Sequence, residues 1–521
     1  MKKTSRVNNS IMNLITGLGG QMFVIVLKFV TRTVFISTLG KSYLGINGLF
    51  SDIFTMLSLT ELGLDTAINF KLYKPLAEND EARVRVLVKF YKSAYRVVGT
   101  TVLTLGLCLI PLLPYVIHEY DSLEQLGINA VLIFLLYLMQ SVASYLFFAS
   151  RSAIVKADQK EYMLNIASYA VTLATNICQI LILVFWKNFI IYTASVVAFN
   201  ILQNFINAII AKKYYPWAFI KTDDHISWAE VKDMLKDLGA LFVYKINSVV
   251  LKATDNIVLS AFIGLSIVGM YSNYLLFYTT IKSLLNRFYS AAKASMGNLF
   301  AIADMEKRYL FFEVMNLVSV IIYGTACVGV AVVADELVGC WIGDGYVIPQ
   351  PFAILMGIEI LFLGLKNNLG QIRNVTGAFR QMWFRPLLGI IVNLVVSIVM
   401  VRSLGIYGVL IGTIAADICT NFMVDPSVIY KFSFNNYKPV SFYYIKNIRY
   451  MLLLFVMGAV DMWLCSVVLP GHGWISIAVH VLVCGLSVPG VFYLIYRKTT
   501  EFQYLLNLGY KLMRKVRKRL S

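Results

Sequence analysis

Apolar segments long enough to cross a membrane follow one another along almost the whole of this 521-residue chain. A helix needs about 20 consecutive apolar residues to span the hydrocarbon core of a bilayer. The ~10-residue alternating segments that build a transmembrane β-barrel are not visible. The sequence therefore predicts an all-α, polytopic membrane protein with fourteen transmembrane helices. We place these helices near residues 11–37, 42–70, 86–114, 126–150, 162–186, 188–211, 238–262, 265–292, 310–334, 351–372, 386–402, 406–430, 449–469 and 474–496.

The basic residues are distributed unevenly between the two sides of the predicted bundle. With the N-terminus in the cytoplasm, most of the 46 Lys and Arg residues fall in cytoplasmic segments, whereas the outer loops contain Lys41, Lys187 and Arg402. This positive-inside distribution predicts a multi-pass protein with both termini in the cytoplasm. It also explains the net charge of +18 without a nucleic-acid partner, and we expect the basic tail to contact anionic membrane lipids. We expect no cleavable signal peptide, because the first apolar run is too long.

Two halves of the chain correspond when the sequence is shifted by 224 residues. The shift aligns Lys28 with Lys252, Gly40 with Gly264, Gly45 with Gly269, and Asp80 with Asp304. Each copy predicts the same unit of a helix, a tight outer turn, a long helix and a basic inner loop. Helices 1–6 and 7–12 are therefore predicted to be parallel repeats about an axis along the membrane normal, and a binding site is expected at the repeat interface.

The repeat leads to a division of the chain into lobes. We predict an N-terminal lobe at 1–211, a cytoplasmic linker at 212–237, a C-terminal lobe at 238–430, a two-helix extension at 431–496 and a basic cytoplasmic tail at 497–521. The linker contains Ser227-Trp-Ala-Glu230, the pattern of a capping box that opens a short surface helix.

Eight basic side chains lie inside the predicted membrane helices, namely Lys28, Arg32, Arg96, Lys245, Lys252, Lys282, Arg287 and Lys366. A charge at bilayer depth is costly, so it usually faces a watery cavity lined by protein. These residues predict a pathway for an anionic substrate. By helical spacing, Lys28 and Arg32 share one face of the first helix, and Lys245 and Lys252 share one face of the seventh. In a two-lobed bundle these two cationic stripes would face each other.

Each of these charges also has a structural interpretation. Lys28 can pair with an acid such as Asp52 or Glu61, and Lys252 can be neutralised by Asp255 one turn away. Arg287 can anchor to lipid headgroups near a helix end, and Arg96 and Lys366 can extend to the inner surface. The sequence leaves these alternatives open.

Several turn motifs resemble the polysaccharide transporter branch of the MOP flippase superfamily. The motifs are Leu39-Gly-Lys-Ser-Tyr-Leu-Gly-Ile-Asn-Gly-Leu-Phe50, Leu57-Ser-Leu-Thr-Glu-Leu-Gly-Leu-Asp-Thr-Ala67, the turn Gly264–Gly269, and Ser403-Leu-Gly-Ile-Tyr-Gly-Val409. That branch includes the Wzx-type flippases of O-antigen and capsule repeat units, and its more distant relatives are the lipid II flippases and the MATE exporters.

The resemblance implies a V-shaped pair of six-helix lobes around a central cavity, followed by two C-terminal helices. It implies alternating access, with an undecaprenyl-diphosphate-linked oligosaccharide moved from the inner to the outer leaflet of the bacterial inner membrane. A polysaccharide polymerase and a chain-length regulator are the expected partners. On this basis the candidate diphosphate-binding residues are Lys28, Arg32, Lys245, Lys252, Lys282 and Arg287. The chain departs from the lipid II flippases in having no basic residue in its second helix.

The resemblance also implies ion coupling through acids in the membrane helices. The candidates here are Asp255, Glu359 and Asp417. A buried carboxylate can carry a proton, whereas the same acids together with Asn393 and Thr413 can ligate Na⁺ through oxygen atoms. The sequence does not choose between H⁺ and Na⁺.

Two other functions compete with the flippase. A MATE-type exporter of organic cations calls for an acid-rich pathway, and this pathway is at least as basic as it is acidic. A membrane enzyme of polysaccharide assembly calls for a catalytic constellation in a large outer loop, and no such motif is visible. We therefore expect no enzymatic activity, no cofactor and no metal site. The seven cysteines are scattered without disulfide or zinc spacing.

Overall fold

The computed structural model describes residues 20, 23–57, 64–117, 120, 128–146, 151–158, 160–220, 222–232, 253–376, 380–382, 384–468, 473–507 and 510. The side chains of residues 64–70, 287–288, 290–295, 297–298, 301–302 and 380 are outside this description.

The described part of the chain is built from helices and contains no strand. We number the longer helices in chain order. They are α1 (23–39), α2 (Lys41–Leu57), α3 (Leu64–Glu78), α4 (Glu81–Leu109), α5 (Ala130–Leu146), α6 (Glu161–Phe185), α7 (Phe189–Tyr214), α8 (253–262), α9 (Leu265–Ile302), α10 (Met305–Ile342), α11 (Phe352–Thr376), α12 (Arg385–Leu404), α13 (Ile406–Phe432), α14 (Ser441–Val468), α15 (Trp474–Tyr496) and α16 (500–507).

Nine of the described helices are long and apolar enough to cross a bilayer. They are α4 with its short continuation to Val116, α6, α7 and α10–α15. Many apolar side chains on these nine helices are exposed, such as those of Ile391, Val395 and Val399 on α12. Because an exposed apolar helix face is stable in lipid and not in water, these elements confirm the predicted all-α membrane fold.

The structure corrects the ends of several predicted helices. α10 runs from Met305 to Ile342 and α14 begins at Ser441, so both extend well beyond the predicted 310–334 and 449–469. Apolar runs mark only the part of a helix that lies in hydrocarbon, and charged turns continue the helix into the headgroup region. As a result, Asp335 and Glu336 lie on α10 and not in the predicted outer loop.

Contacts divide the chain into two compact units, Met1–Gly269 and Met270–Ser521. The predicted lobe boundaries at 212–237 and 430 stay predictions, since residues 233–252 are outside the description. The predicted surface helix of the linker is confirmed. Ser227 Oγ accepts from the Glu230 backbone N–H, the Glu230 carboxylate accepts from the Ser227 N–H, and a short helix follows at 228–232.

Equivalent positions of the predicted repeat have the same local structure. Asp80 caps α4 by accepting from the backbone N–H of Arg83, and its counterpart Asp304 caps α10 by accepting from Lys307. Gly40 and Gly264, which end the preceding helices, have φ angles of +83° and +122°. Glycine adopts this left-handed region without the steric cost that other residues meet.

A second pair of repeat glycines makes a reciprocal helix contact in the first unit. A Cβ added at Gly45 of α2 would lie 1.9 Å from the carbonyl oxygen of Leu265, at the start of α9. A Cβ added at Gly269 would lie 2.2 Å from the carbonyl oxygen of Lys41. Gly45 aligns with Gly269 and Lys41 with Leu265 under the same shift, so the contact is symmetric. Only a residue without a side chain allows the two backbones to approach this closely.

The second unit has its core between α10, α11, α14 and α15. Leu317, Leu361, Leu454 and Val488 belong to one buried apolar cluster there. Buried amides connect the same helices, since Asn368 donates to Asn316 Oδ1 at 3.4 Å and Asn316 donates to Asn447 Oδ1 at 3.1 Å. The two predicted C-terminal helices therefore pack on the bundle through both apolar and polar contacts.

Candidate functional site

The predicted cationic stripe of the first helix is partly described. Lys28 on α1 is exposed. Arg32, one turn further, is partly buried and interacts electrostatically with Tyr137 and Tyr192. The acid suggested as a partner for Lys28, Asp52, accepts a hydrogen bond from Asn256 Nδ2 at 2.5 Å. The assignment of Lys28 and Arg32 to an anionic pathway stays a prediction.

The remaining predicted cations have different outcomes. Lys245 and Lys252 lie outside the described residues, so the second stripe is not observed. Arg287 lies on α9, and its side chain is not described. Lys282, also on α9, is partly buried, and its ammonium lies 5.5 Å from the ring centroid of Tyr278.

Lys282 belongs to a group of charged side chains in the second unit that we call the intramembrane charge cluster: Tyr278, Lys282, Glu359, Lys366 and Asp417. Lys366 Nζ of α11 lies 3.5 Å from Asp417 Oδ1 of α13. The hydroxyl of Tyr278 donates to the carboxylate of Glu359 on α11. Glu359 interacts electrostatically with Asp417, Lys282 and Lys366. Three helices thus bring two carboxylates and two ammonium groups together.

The cluster is chemically suited to exchange a cation. Asp417 is buried and also accepts from Asn421 Nδ2 one turn later. Two neighbouring carboxylates in a site of low dielectric constant repel unless a proton, a bound cation or a lysine compensates them. Lys366 and Lys282 supply that compensation here. Moving either ammonium away would leave a carboxylate to be neutralised by H⁺ or Na⁺.

Sequence reasoning placed Glu359 and Asp417 among the coupling acids, and the structure brings these two together. It left Lys366 open between the anionic pathway and the inner surface, and it did not identify Asp417 as its partner. Lys366 follows Glu359 by seven residues, which puts both on one face of α11, and this spacing was the available signal. Asp255, the third predicted acid, is buried on α8 in the first unit. The predicted neighbours Asn393 and Thr413 are hydrogen-bonded at 3.0 Å.

A second buried ionic group in the same unit was not predicted. Asp425 on α13 is fully buried, with Oδ1 2.5 Å from Arg385 Nε and Oδ2 3.6 Å from Arg373 Nη1. The three residues join the ends of α11, α12 and α13. Because removal of one partner would leave uncompensated charge, such a group fixes the mutual arrangement of its helices.

A third polar pair ties α15 to α10. His480 Nδ1 lies 2.8 Å from Glu336 Oε2, and both side chains are largely buried. The sequence alone favours a packing or surface role for His480. It gives no signal of this pair, because Glu336 is distant in the chain.

The first unit contains a polar cavity of about 320 Å³ between α5, α6 and α7. Its wall is rich in amides and hydroxyls and also carries one base and one acid, Lys156 and Glu161. The amides and serine hydroxyls are those of Ser144, Asn165, Ser168, Gln203, Asn204 and Asn207. Gln203 donates to Asn207 at 2.9 Å, and Asn204 donates to the Ala143 carbonyl at 3.4 Å. Amides and hydroxyls both donate and accept hydrogen bonds, so this cavity suits an uncharged ligand with many hydroxyl groups.

From the sequence, Tyr244, Tyr271, Tyr274 and Tyr278 could stack on sugar rings if they face a cavity. Three of them are instead part of the protein interior. Tyr271, Tyr274 and Tyr278 are buried. Tyr274 donates to Asp335 at 2.7 Å, and Tyr278 belongs to the intramembrane charge cluster. Tyr244 lies outside the described residues.

Comparison of the sequence with known proteins gives no match, either to a protein-family model or to a curated protein. Comparison of the structure with solved structures does give matches. An inward-facing multidrug resistance MATE family transporter of the MOP superfamily superposes with a TM-score of 0.61 and 13% identity, covering 80% of this chain and 96% of that one. An outward-facing transporter of the same description gives 0.55 and 13%, covering 83% and 96%.

The lipid II flippase MurJ, in an inward closed conformation, superposes with a TM-score of 0.57 and 15% identity. That match covers 93% of this chain and 99% of the flippase. At these identities the likeness concerns the fold. The chain is a multi-pass membrane protein with the fold of the MOP-superfamily transporters.

Proposed function

We propose that this protein is a flippase for an undecaprenyl-diphosphate-linked oligosaccharide, an O-antigen, capsule or exopolysaccharide unit. It moves this lipid from the inner to the outer leaflet of the bacterial inner membrane by alternating access. A polysaccharide polymerase and a chain-length regulator are its expected partners. The protein performs no covalent chemistry in this proposal.

The observation that carries the proposal is the amide-lined cavity of the first unit. Amides inside a membrane bundle are costly to bury without partners. Four amides and two serine hydroxyls line this cavity, where they are partly exposed and can hydrogen-bond to a ligand that passes along it. Sugar hydroxyls supply matching donors and acceptors. Organic cations call for an excess of carboxylates, whereas the acid of this wall, Glu161, is accompanied by the basic Lys156. The lipid II flippase superposes over 93% of this chain, whereas the two MATE transporters described above superpose over 80% and 83%, the first of them with a higher TM-score.

The cations predicted along the pathway complement this cavity. A diphosphate accepts charge-assisted hydrogen bonds, and the fork of an Arg side chain donates two at once. We assign this role to Arg32 and Lys28 of α1 and to Lys282 of α9, together with Lys245, Lys252 and Arg287. The proposed substrate thus has two recognised parts, a diphosphate and a glycan.

The glycan part is tested with a double substitution, Gln203→Leu with Asn207→Leu. The control is Ile209→Leu, on the exposed face of the same helix. Purified protein is reconstituted with a fluorescent lipid-linked oligosaccharide, and transport is measured as the fraction of glycan that becomes accessible to an added glycosidase. We expect at least tenfold slower transport for the double variant and the wild-type rate for the control. Wild-type transport by the double variant would refute the assignment.

The diphosphate part is tested with the variant Arg32→Gln. Its control is Lys41→Gln, because Lys41 is exposed at the predicted outer turn. Glycan display is measured in complemented cells, and the amount of protein in the membrane is measured by immunoblot. We expect loss of display for Arg32→Gln at an unchanged protein level. A deletion strain that shows drug sensitivity and normal glycan display would instead support an exporter.

Ion coupling is assigned to the intramembrane charge cluster. Asp417→Asn and Glu359→Gln should abolish the dependence of transport on an imposed ion gradient. Parallel measurements with a pH gradient and a Na⁺ gradient distinguish the two ions. Equal gradient dependence in wild type and both variants would remove the cluster from the mechanism.

A further inference from the structure

A cavity of about 690 Å³ lies in the second unit, where α10 and α14 begin and α15 ends. Its wall includes Tyr309 and Glu313 of α10, Lys446 and Tyr450 of α14, and Glu501 of α16. The ends of membrane helices lie at the depth of the lipid headgroups. The cavity is therefore a concave site, lined by both apolar and charged side chains, at the level where headgroups are found.

The inner part of the cavity carries a surplus negative charge. The ammonium of Lys446 bridges the carboxylates of Glu313 and Glu501, with the second contact at 2.5 Å. Burial would raise the pKa of Glu501, but the hydrogen bond and charge of Lys446 hold it below its ordinary value. One ammonium shared by two carboxylates leaves one negative charge uncompensated.

The rim of the cavity carries a surplus of positive charge. Lys438 and Arg449 are exposed there, against a single exposed acid, Glu306. The ammonium of Lys438 lies 5.3 Å from the ring centroid of Tyr309 and 5.9 Å from that of Phe442, so aromatic faces hold it at the entrance. The site is thus negative inside and positive at its edge.

An apolar stripe leads away from the cavity along α14. Phe442 and Ile445 line the cavity, and Ile448, Leu452 and Phe455 continue on the same face. All five side chains are exposed, up to 76% for Phe455. Their spacing of three and four residues makes one continuous ridge of the helix, which suits acyl chains.

We propose that this cavity binds one zwitterionic phospholipid with a primary ammonium group, of the phosphatidylethanolamine class. Its ammonium lies at the Glu313 and Glu501 carboxylates, its phosphate at Lys438 and Arg449, and its acyl chains along α14. A glycerol headgroup brings no cation to the surplus carboxylate, and a choline headgroup has no N–H to donate. The proposal does not depend on the transport of a glycan.

The test measures lipid retention by the full-length protein. Detergent-purified protein is titrated with phosphatidylethanolamine, phosphatidylglycerol and phosphatidylcholine of identical acyl chains, and bound lipid is counted by native mass spectrometry. We expect about tenfold tighter retention of phosphatidylethanolamine, the equivalent of one charge-assisted hydrogen bond. Equal or tighter retention of phosphatidylglycerol would overturn the proposal.

Two variants locate the site. Glu501→Gln removes the surplus charge and should abolish the preference for the ethanolamine lipid, while Asp344→Asn, exposed and outside the cavity, should keep it. Lys438→Gln with Arg449→Gln leaves the Lys446 bridge intact and should weaken retention of all three lipids, since each carries a phosphate. If the rim variant retains lipid like wild type, or if Glu501→Gln keeps the preference, the cavity is not the headgroup site.

Discussion

The reciprocal glycine contact between α2 and the start of α9 makes a quantitative prediction. In Gly45→Ala, the new methyl group would lie 1.9 Å from the Leu265 carbonyl oxygen, a backbone atom that cannot rotate away. Ordinary van der Waals contact needs well over 3 Å, so the helices must separate by more than an ångström. Overpacking of this kind costs about 1–3 kcal/mol, against a gain in helix propensity of at most about 1 kcal/mol.

The matched control is Gly485→Ala on α15, where a Cβ would meet nothing within 4 Å. This control should stabilise the helix by about 0.5–1 kcal/mol. The assay is the free energy of unfolding in mixed micelles, measured for the two single variants, for Gly269→Ala and for the double variant Gly45→Ala/Gly269→Ala. The double variant should cost less than the sum of its parts, because both methyl groups separate the same two helices. Equal stability of Gly45→Ala and Gly485→Ala, or strictly additive costs, would refute the close approach.

Three further predictions concern the second unit. Asp425→Asn should destabilise the protein by about 3–5 kcal/mol in thermal or denaturant unfolding, because it removes the carboxylate that pairs with the buried Arg385. The control Asp223→Asn, at an exposed position, should be neutral. Lys366→Met should impair transport. The double variant Lys366→Met/Asp417→Asn should be more stable than Lys366→Met alone, since both members of the ion pair are removed together. The pKa of Glu501 is lowered in the folded protein, so its contribution is present above its unfolded pKa of about 4.3 and is lost as the pH falls through the lower folded value. The protection of the backbone amides of residues 500–507 against hydrogen exchange, relative to the unfolded chain, should therefore be high at neutral pH and fall below about pH 4. Glu501→Gln should remove that pH dependence.

Helical membrane architecture could be predicted from the sequence because hydropathy reports directly on burial in lipid. The predicted helices at 162–186, 386–402 and 474–496 differ from α6, α12 and α15 by no more than two residues at either end. The errors in the predicted helix ends are concentrated where a helix leaves the hydrocarbon core of the bilayer. α10 begins at Met305 because Asp304 caps it, and a capped, charged first turn has no apolar signature.

A residue of a candidate site could be predicted from the sequence only where its signal lies within one helix. The acids Glu359 and Asp417 were recognised because a charge within an apolar run is visible in one helix. Their pairing with Lys366, and the pairing of His480 with Glu336, depend on contacts between helices distant in the chain. Single-sequence patterns contain no information about which helix faces meet. The polar cavity of the first unit could not be predicted for the same reason, since its amides and hydroxyls come from several helices.

The π-helical turn at Ile418–Val424 of α13 follows Asp417 directly, with the Asp425 N–H bonded to the Thr420 carbonyl five residues earlier. A π turn holds one residue more than an α turn, so it stores a surplus residue within an otherwise regular helix. Removing one residue there, such as the exposed Met423, would convert the turn to α-helix without displacing Asp417 or the helix that follows it. A deletion within α11 would instead rotate every later residue by about 100°. Of these two helices, α13 is therefore the one that can lose a residue while keeping its buried charges in place.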